Sequence, residues 1–133
     1  MQLIMQHKKT AIALILCGSI FSLVSCYKNK TVLQDTAEIT RTVTFSQDII
    51  PIFNKSCNLS GCHSSGGQAP NLTEANAFNS LTIGNYIDKT SPENSTIYLK
   101  MTGKRGTPMP VSGSNKDYNA LILAWIKQGA NNN

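Results

Sequence analysis

The sequence CNLSGCH, residues 57–63, brings two thiols and an imidazole together within seven residues. Its spacing, CxxxxCH, is a two-residue expansion of the CxxCH motif through which haem is attached covalently to a polypeptide. In that motif the two sulfurs bond to the haem vinyl groups, and the adjacent histidine binds the iron as its proximal ligand. The motif therefore predicts one covalent haem, with Cys57 and Cys62 as thioether ligands and His63 as the proximal iron ligand.

Two simpler interpretations of the same residues stay open. Neighbouring cysteines in an exported protein often form a local disulfide, which would join Cys57 to Cys62. A structural zinc site normally needs four Cys or His ligands. The other cysteines and histidine of the chain are Cys17, Cys26 and His7, all near the amino terminus. A zinc shell would therefore need a carboxylate or a water molecule to complete it.

The amino terminus has the features of a bacterial export signal. A short basic stretch, HKK at residues 7–9, precedes an almost uninterrupted apolar run over residues 10–24. Such a run is short for a membrane-spanning helix and suits the core of a signal peptide. The sequence LVSC at residues 23–26 resembles a lipobox, in which the cysteine is acylated and becomes the first residue. We therefore expect residues 1–25 to be a lipoprotein signal peptide, with an ordinary secretory leader or an uncleaved anchor as the alternatives.

Acylation of Cys26 would attach the protein to membrane lipid, because two acyl chains hold a protein stably at a bilayer. The polar residues 26–42 then read as a tether, and residues 43–133 as the folded domain. This organisation predicts a lipid-anchored protein of the cell envelope, on the periplasmic side of a membrane or at the cell surface. Tyr27 replaces the Asp that signals inner-membrane retention in some bacteria, which favours the outer membrane.

Length and charge narrow the functional classes. Removal of residues 1–25 from the 133-residue chain leaves about 108 residues, enough for one small domain. The formal net charge of +5 includes Lys8 and Lys9, so the mature chain carries about +3. Its basic residues are scattered along the sequence instead of forming a stripe. Nucleic acid is consequently a poor candidate for a partner.

The domain is predicted to be mainly α, with four or five short helices, because no alternating strand pattern is present. Helices are predicted over about residues 46–55, 71–81, 95–101 and 114–128, with N-caps at Ser46, Asn71 (paired with Glu74 in a capping box) and Ser114. Pro51 conflicts with a start at residue 46 and favours a start nearer Ile50. Gly129 would end the last helix. Residues 131–133 look like a frayed tail.

A second iron ligand is expected in the irregular stretch GKRGTPMPVSGS, residues 103–114. Met109 lies there between Pro108 and Pro110, and proline restricts the backbone, so a stiff loop would present the thioether. A thioether is a good axial ligand for haem iron. Met109 is therefore the predicted distal ligand. Met101, at the end of a predicted helix, is the rival candidate, and filling a core gap is the alternative role for Met109.

Several motifs in their order along the chain resemble the small c-type cytochrome domain of bacterial lipoproteins, which is related to monohaem class I cytochromes c. The motifs are FSQDIIPIF (45–53), CNLSGCH (57–63), APNL (69–72), SPENSTIYLKMTG (91–103), TPMP (107–110) and LILAWIKQGA (121–130). The resemblance implies a cytochrome c-like fold of short helices wrapped around one haem c, with the first helix packed across the last. It also implies thioether bonds at Cys57 and Cys62, proximal ligation by His63 and distal ligation by Met109. The chain differs from most of the family in the two extra residues between its cysteines, which Gly61 and its short polar neighbours would allow to bulge outward.

These expectations predict a membrane-tethered protein that transfers single electrons between redox partners and is not an enzyme. With imidazole and thioether on its two faces, the iron would have no open position for a substrate. One alternative is a haem sensor or peroxidase-like protein in which Met109 is displaced. Another is a haem-free interaction module with a disulfide between Cys57 and Cys62.

The roles of two further groups of side chains stay open at this stage. Trp125 would contact the haem or donate a hydrogen bond to a propionate, or it would belong to the ordinary core. Some lysines would steer an acidic redox partner toward the haem edge, or would only solvate the surface. These lysines are Lys55, Lys100, Lys104, Lys116 and Lys127.

Overall fold

The computed structural model describes residues 38–133, all of which belong to one compact unit. The predicted signal peptide, the acylated Cys26 and residues 27–37 of the tether lie outside the described residues. Within residues 38–133, no helix is both long enough and apolar enough to cross a membrane.

Residues 38–133 form helices and contain no β-strand, which confirms the mainly α prediction. Four α-helices are present: α1 (Ile50–Ser56), α2 (Ala77–Ile83), α3 (Thr96–Met101) and α4 (Lys116–Lys127). A π-helical turn, Phe45–Ile49, leads directly into α1. A single 3₁₀ turn, Pro92–Asn94, precedes α3. Of these four helices only α4 is longer than seven residues, so loops make up much of the domain.

The start of the first helix is set by proline. Helix α1 begins at Ile50 with Pro51 in its first turn, as the alternative start predicted. Proline is tolerated there because the N–H groups of the first turn have no intrahelical acceptor. The prediction that Ser46 caps the helix is wrong, since Ser46 lies inside the π-helical turn and no side chain caps it. Asp48 instead accepts a hydrogen bond from the backbone N–H of Thr44, at 2.8 Å.

Helix α2 begins later than predicted, and the proposed capping box does not form. The side-chain oxygen Oδ1 of Asn71 accepts hydrogen bonds from the backbone N–H of Thr73 at 3.0 Å and from its hydroxyl at 2.7 Å. This local turn satisfies Asn71 outside any helix, which is how Asn competes with helix formation. The helix therefore starts only at Ala77.

The last helix differs from the prediction by one residue at its start. Asn115, not Ser114, is the N-cap, and its side chain accepts a hydrogen bond from the Tyr118 N–H at 3.0 Å. The Ser114 hydroxyl accepts one from the Asn119 side-chain amide, at 2.8 Å. Gly129, with φ +104°, follows the helix and ends it as predicted, because a positive φ favours glycine.

The beginning of the domain, including the π-helical turn, packs against α4 and the residues that follow it. The Phe45 ring lies 5.0 Å from the Trp125 ring between centroids. The Val43 N–H donates to the Gln128 side chain at 2.8 Å, and the Phe45 N–H donates to the Asn133 side chain at 2.9 Å. The expectation of a frayed tail is therefore wrong, because Asn133 is bonded to the start of the domain. The largest fully buried side chains are Trp125, Phe53, Ile49, Leu81, Ile122 and Ile126.

An ion pair fastens the end of the predicted tether to the domain. The Nη1 and Nη2 atoms of the Arg41 guanidinium donate to the two oxygens of the Asp48 carboxylate, at 3.0 and 2.7 Å. The Gln128 side chain also donates to the Arg41 carbonyl, at 3.0 Å. The hydrogen bonds from Arg41 are the main cause that lowers the pKa of Asp48 to about 2, although partial burial opposes the shift. Residue 41 is therefore part of the folded structure.

Replacing Asp48 by Asn is expected to destabilise the protein at neutral pH by about 1–2 kcal/mol, after allowance for the exposure of Arg41. Since the folded-state pKa lies below the ordinary value, the carboxylate stabilises the fold above about pH 4. That stabilisation should disappear as the pH falls through about 2. Urea unfolding of both proteins at several pH values measures the difference. Glu74→Gln, which removes an exposed carboxylate, is the control, and a pH-independent difference for Asp48→Asn would contradict the prediction.

Candidate functional site

A largely apolar cleft lies between the end of α1, one face of α3 and the loops that follow the CNLSGCH motif and α3. It has about 740 Å³ of empty space, including its opening to solvent. Phe53, Leu72 and Ile97 supply apolar walls. A mostly apolar cleft that is lined by a few polar residues is typical of sites for small molecules and cofactors.

The predicted site residues come from separate parts of the chain and meet at this cleft. Cys57 and His63 line one part of it, and Met109 lines it from the loop between α3 and α4. Cys62 is half-buried and does not belong to the lining residues. The structure therefore brings the thioether of Met109 to the same cleft as the Cys57 thiol and the His63 imidazole, although Met109 is distant from them in sequence.

The two cysteines are free thiols in different surroundings. Cys57 is only 8% exposed, whereas Cys62 is half-buried. Burial, together with the nearby Cys62, raises the pKa of the Cys57 thiol to about 11. A thiol with this pKa stays protonated at neutral pH and is a poor nucleophile, because the thiolate is the reactive form. Burial therefore argues against a catalytic role for the Cys57 thiol in this structure.

Hydrogen bonds to the backbone fix the orientation of the His63 ring. Its Nδ1 lies 3.2 Å from the Gln68 carbonyl oxygen and 3.1 Å from that of Pro70. Carbonyl oxygens only accept hydrogen bonds, so Nδ1 carries a proton, and in the neutral form of the ring the lone pair lies on Nε2. Nε2 has no hydrogen-bond partner within residues 38–133. An imidazole held in this way is prepared to bind a metal through Nε2.

A compact loop supports this arrangement of the histidine. The Gln68 N–H donates to the Cys62 carbonyl at 2.8 Å, and the Leu72 N–H donates to the His63 carbonyl at 2.7 Å. A side chain at Gly67 would overlap the Cys62 carbonyl oxygen, so the loop passes too close for any residue larger than glycine. The sequence does not predict the hydrogen bonds between His63 and the carbonyl groups of Gln68 and Pro70, although Pro70 belongs to the APNL motif.

The additional residues between the cysteines point away from the cleft region. Leu59 is 49% exposed, and the Cys62 N–H donates to its carbonyl at 2.9 Å, which closes a turn. Gly61 is exposed with φ +78°, and a Cβ added there would meet no atom within 4 Å. A left-handed residue at this point allows the turn to bulge into solvent. The outward bulge agrees with the expectation for the expanded motif.

Both candidate methionines line the cleft. Met109 is half-buried, and its N–H donates to the Lys100 carbonyl at 2.9 Å, which ties the Pro108–Pro110 loop to α3. Met101 is 3% exposed and lies at the end of α3. The position of Met109 in a loop flanked by prolines, and not its presence at the cleft, distinguishes it from Met101.

The structure favours the core alternative for Trp125. The side chain is 1% exposed, and its indole N–H donates to the Asn131 carbonyl at 2.9 Å. It does not belong to the residues that line the cleft.

The basic residues fall into different environments. Lys100 lines the cleft, while Lys104 lies 5.8 Å from the centre of the Tyr98 ring. Lys127 pairs with Glu93 at 2.8 Å, and Lys55 is exposed at the end of α1. Lys100 is thus the lysine of this set with a side chain in the cleft wall.

The donor set does not resemble a closed zinc site. Within the part of the chain that the structure describes, no three His, Cys, Asp or Glu side chains lie together in a way that would hold a metal ion. An imidazole, a thioether and two thiols are instead the groups that hold a covalent haem in c-type cytochromes.

Comparison of the chain with known proteins identified no relative. No family model matches the chain, and neither the curated proteins nor the solved structures contain a match. The interpretation of the site consequently rests on the motif, the cleft and the geometry of the residues around it.

Proposed function

We propose that the mature protein is a membrane-tethered monohaem c-type cytochrome that transfers single electrons between redox partners. The observation that carries the proposal is the meeting of Cys57, His63 and Met109 at one apolar cleft. The free Nε2 of His63 supports it further, because the ring is already oriented as a metal ligand requires. The packing of the first helical segment against α4 agrees with a cytochrome c-like fold.

Each site residue has a distinct role in this proposal. Cys57 and Cys62 would hold the haem covalently, each through a thioether formed by addition of its S–H across a vinyl group, with no atom lost. His63 would bind the iron through Nε2, and Met109 would bind it through its thioether sulfur. When bound, haem contributes a reversible one-electron change between Fe(III) and Fe(II).

The surrounding residues explain why electron transfer is favoured over catalysis. Phe53, Leu72 and Ile97 line the cleft with apolar surface, which would lower the local dielectric around a cofactor bound there. His63 is held by two carbonyl groups, and Met109 lies in a loop that prolines stiffen. Side chains held in this way would limit rearrangement when the oxidation state of a bound iron changes, and ligation by both His63 and Met109 would leave no open position for a substrate. We therefore propose a redox carrier or module and not an enzyme.

The amino-terminal features of the sequence support a location in the cell envelope. Acylation of Cys26 would anchor the carrier to membrane lipid, with the outer membrane favoured. The redox partners would be proteins that reach the folded domain at the end of its polar tether.

The test is to express the full chain with a haem-attachment apparatus and to purify the mature protein. We expect visible spectra of a low-spin c-type haem in both oxidation states and an intact mass that includes one haem. A Cys57→Ala/Cys62→Ala variant, as the control, should carry no covalent haem. A colourless mature protein with the mass of peptide and lipid alone would refute the proposal.

Two other results would identify the alternatives. A Cys57–Cys62 disulfide in a peptide map of colourless protein would establish the haem-free interaction module. Ready binding of carbon monoxide or cyanide to a loaded protein would establish a displaceable distal ligand and hence a sensor or peroxidase-like protein.

A further inference from the structure

Lys100 places a positive charge in the wall of an apolar cleft. Thr96 and Lys100 are one helical turn apart on α3, and both side chains line the cleft. Lys100 is half-buried, and it forms no ion pair with a carboxylate in residues 38–133. A cation that borders an apolar cleft and has no carboxylate partner can pair with an anionic group of a ligand. The cleft wall is therefore suited to an anionic group on whatever occupies the cleft.

A second cation lies beside Lys100. The Arg105 guanidinium donates to the Thr96 hydroxyl at 2.9 Å, and the Arg105 N–H donates to the Leu99 carbonyl at 3.2 Å. The chain then turns at Gly106, where an added Cβ would lie 3.5 Å from the Lys100 ammonium group. These contacts hold Lys100 and Arg105 at the same border of the cleft, which we call the cationic rim.

The cationic rim differs from several other basic groups of the domain because its two side chains have no carboxylate partner in residues 38–133. Lys127 has Glu93 as its partner, and Arg41 has Asp48. Lys104 lies against the Tyr98 ring, and its charge also acts on Glu93. Arg105, like Lys100, has no carboxylate partner in the described part of the chain, and its contact with Thr96 leaves most of its five donors unused.

We propose that the cationic rim, Lys100 and Arg105, binds the propionate carboxylates of the haem. This inference rests on the proposed function. A haem is an apolar ring with two carboxylates, and the cleft is an apolar space bordered by two cations. An Arg guanidinium matches the geometry of a carboxylate through paired N–H donors, and Lys contributes a point charge. The cysteines would thus hold the vinyl groups, and the rim would hold the propionates.

A cycle of four binding measurements tests the pairing. In the full chain with Cys57→Ala and Cys62→Ala, the dissociation constants of haemin and of haemin dimethyl ester are measured with and without Lys100→Met. We expect Lys100→Met to weaken binding of haemin by about tenfold. The substitution removes a hydrogen bond between an ammonium group and a carboxylate, which is stronger than one between neutral groups. Binding of the ester, which has no carboxylates, should stay the same. Lys104→Met, the matched control, should change neither constant by more than about twofold.

A spectroscopic measurement on the covalently loaded protein gives a second readout. The resonance Raman band of propionate bending should shift in Lys100→Met and stay in place in Lys100→Arg and Lys104→Met. This measurement decides the question if the cysteine-free chain retains no haemin. An unshifted band, or equal losses for haemin and its ester, would overturn the role of the rim while leaving the proposed function intact. A wild-type chain that carries no haem would instead refute the function, and the rim with it.

Discussion

Replacing Met109 by Leu is expected to lower the midpoint reduction potential of the loaded protein by roughly 0.1 V or more. A thioether stabilises Fe(II) relative to Fe(III), and leucine keeps the apolar volume while removing the sulfur. Loss of the ligand also opens one face of the iron, so carbon monoxide should bind readily to the reduced variant. Potentiometric titration and the spectrum after carbon monoxide addition measure the two effects.

Met101→Leu is the matched control, because both methionines line the same cleft. We expect this variant to keep the wild-type potential and to resist carbon monoxide, since Met101 packs at the end of α3 with 3% exposure. The opposite result, with a fall in potential for Met101→Leu alone, would assign the distal position to Met101. Wild-type potentials in both variants would show that neither thioether binds the iron.

Replacing Gly67 by Ala is expected to destabilise the fold by about 2–4 kcal/mol and to reduce haem loading. The new methyl group would overlap the Cys62 carbonyl oxygen and would lie 3.1 Å from that of Ser64. Both atoms belong to backbone, which cannot rotate away as a flexible side chain does. The displaced loop includes Gln68, whose carbonyl orients His63. Denaturant unfolding and the ratio of haem to protein after maturation measure the two effects.

Gly66→Ala separates steric overlap from backbone conformation. Gly66 has φ +75°, and a Cβ there would meet no atom within 4 Å. Alanine in this conformation costs only about 1 kcal/mol. Haem loading should therefore stay near the wild-type value in Gly66→Ala. Equal losses of stability and loading in both variants would show that the close approach at Gly67 has no special importance.

The sequence predicts most of the helical content but not the first residue of each helix. Apolar spacing and Gly129 locate α4 because they act over the whole helix and at its end. Several polar residues near each start compete for the same backbone N–H groups, and a shift by one residue costs little energy. Asn115 therefore replaces Ser114 as the cap, and Asn71 forms a local turn instead of a capping box.

The sequence also predicts which reactive side chains line the cleft, but it does not predict the backbone contacts that orient them. The motif and the proline-flanked loop predict that Cys57, His63 and Met109 lie together, since each carries a chemically distinctive group. The contacts of His63 with the Gln68 and Pro70 carbonyls depend on the path of a loop, and no residue type announces them. Likewise, helical spacing places Thr96 and Lys100 on one face of α3, but only tertiary packing decides that this face borders the cleft.

The contacts between the first and last segments of the domain affect when it can finish folding. The Phe45 N–H is satisfied by Asn133, 88 residues later in the chain. Contacts of such long range form only once both segments are present, so an emerging polypeptide cannot complete this domain before Asn133 has emerged. In the proposed function, both thiols would thus stay accessible to an attachment enzyme throughout export, and the cleft would close around a cofactor already in place.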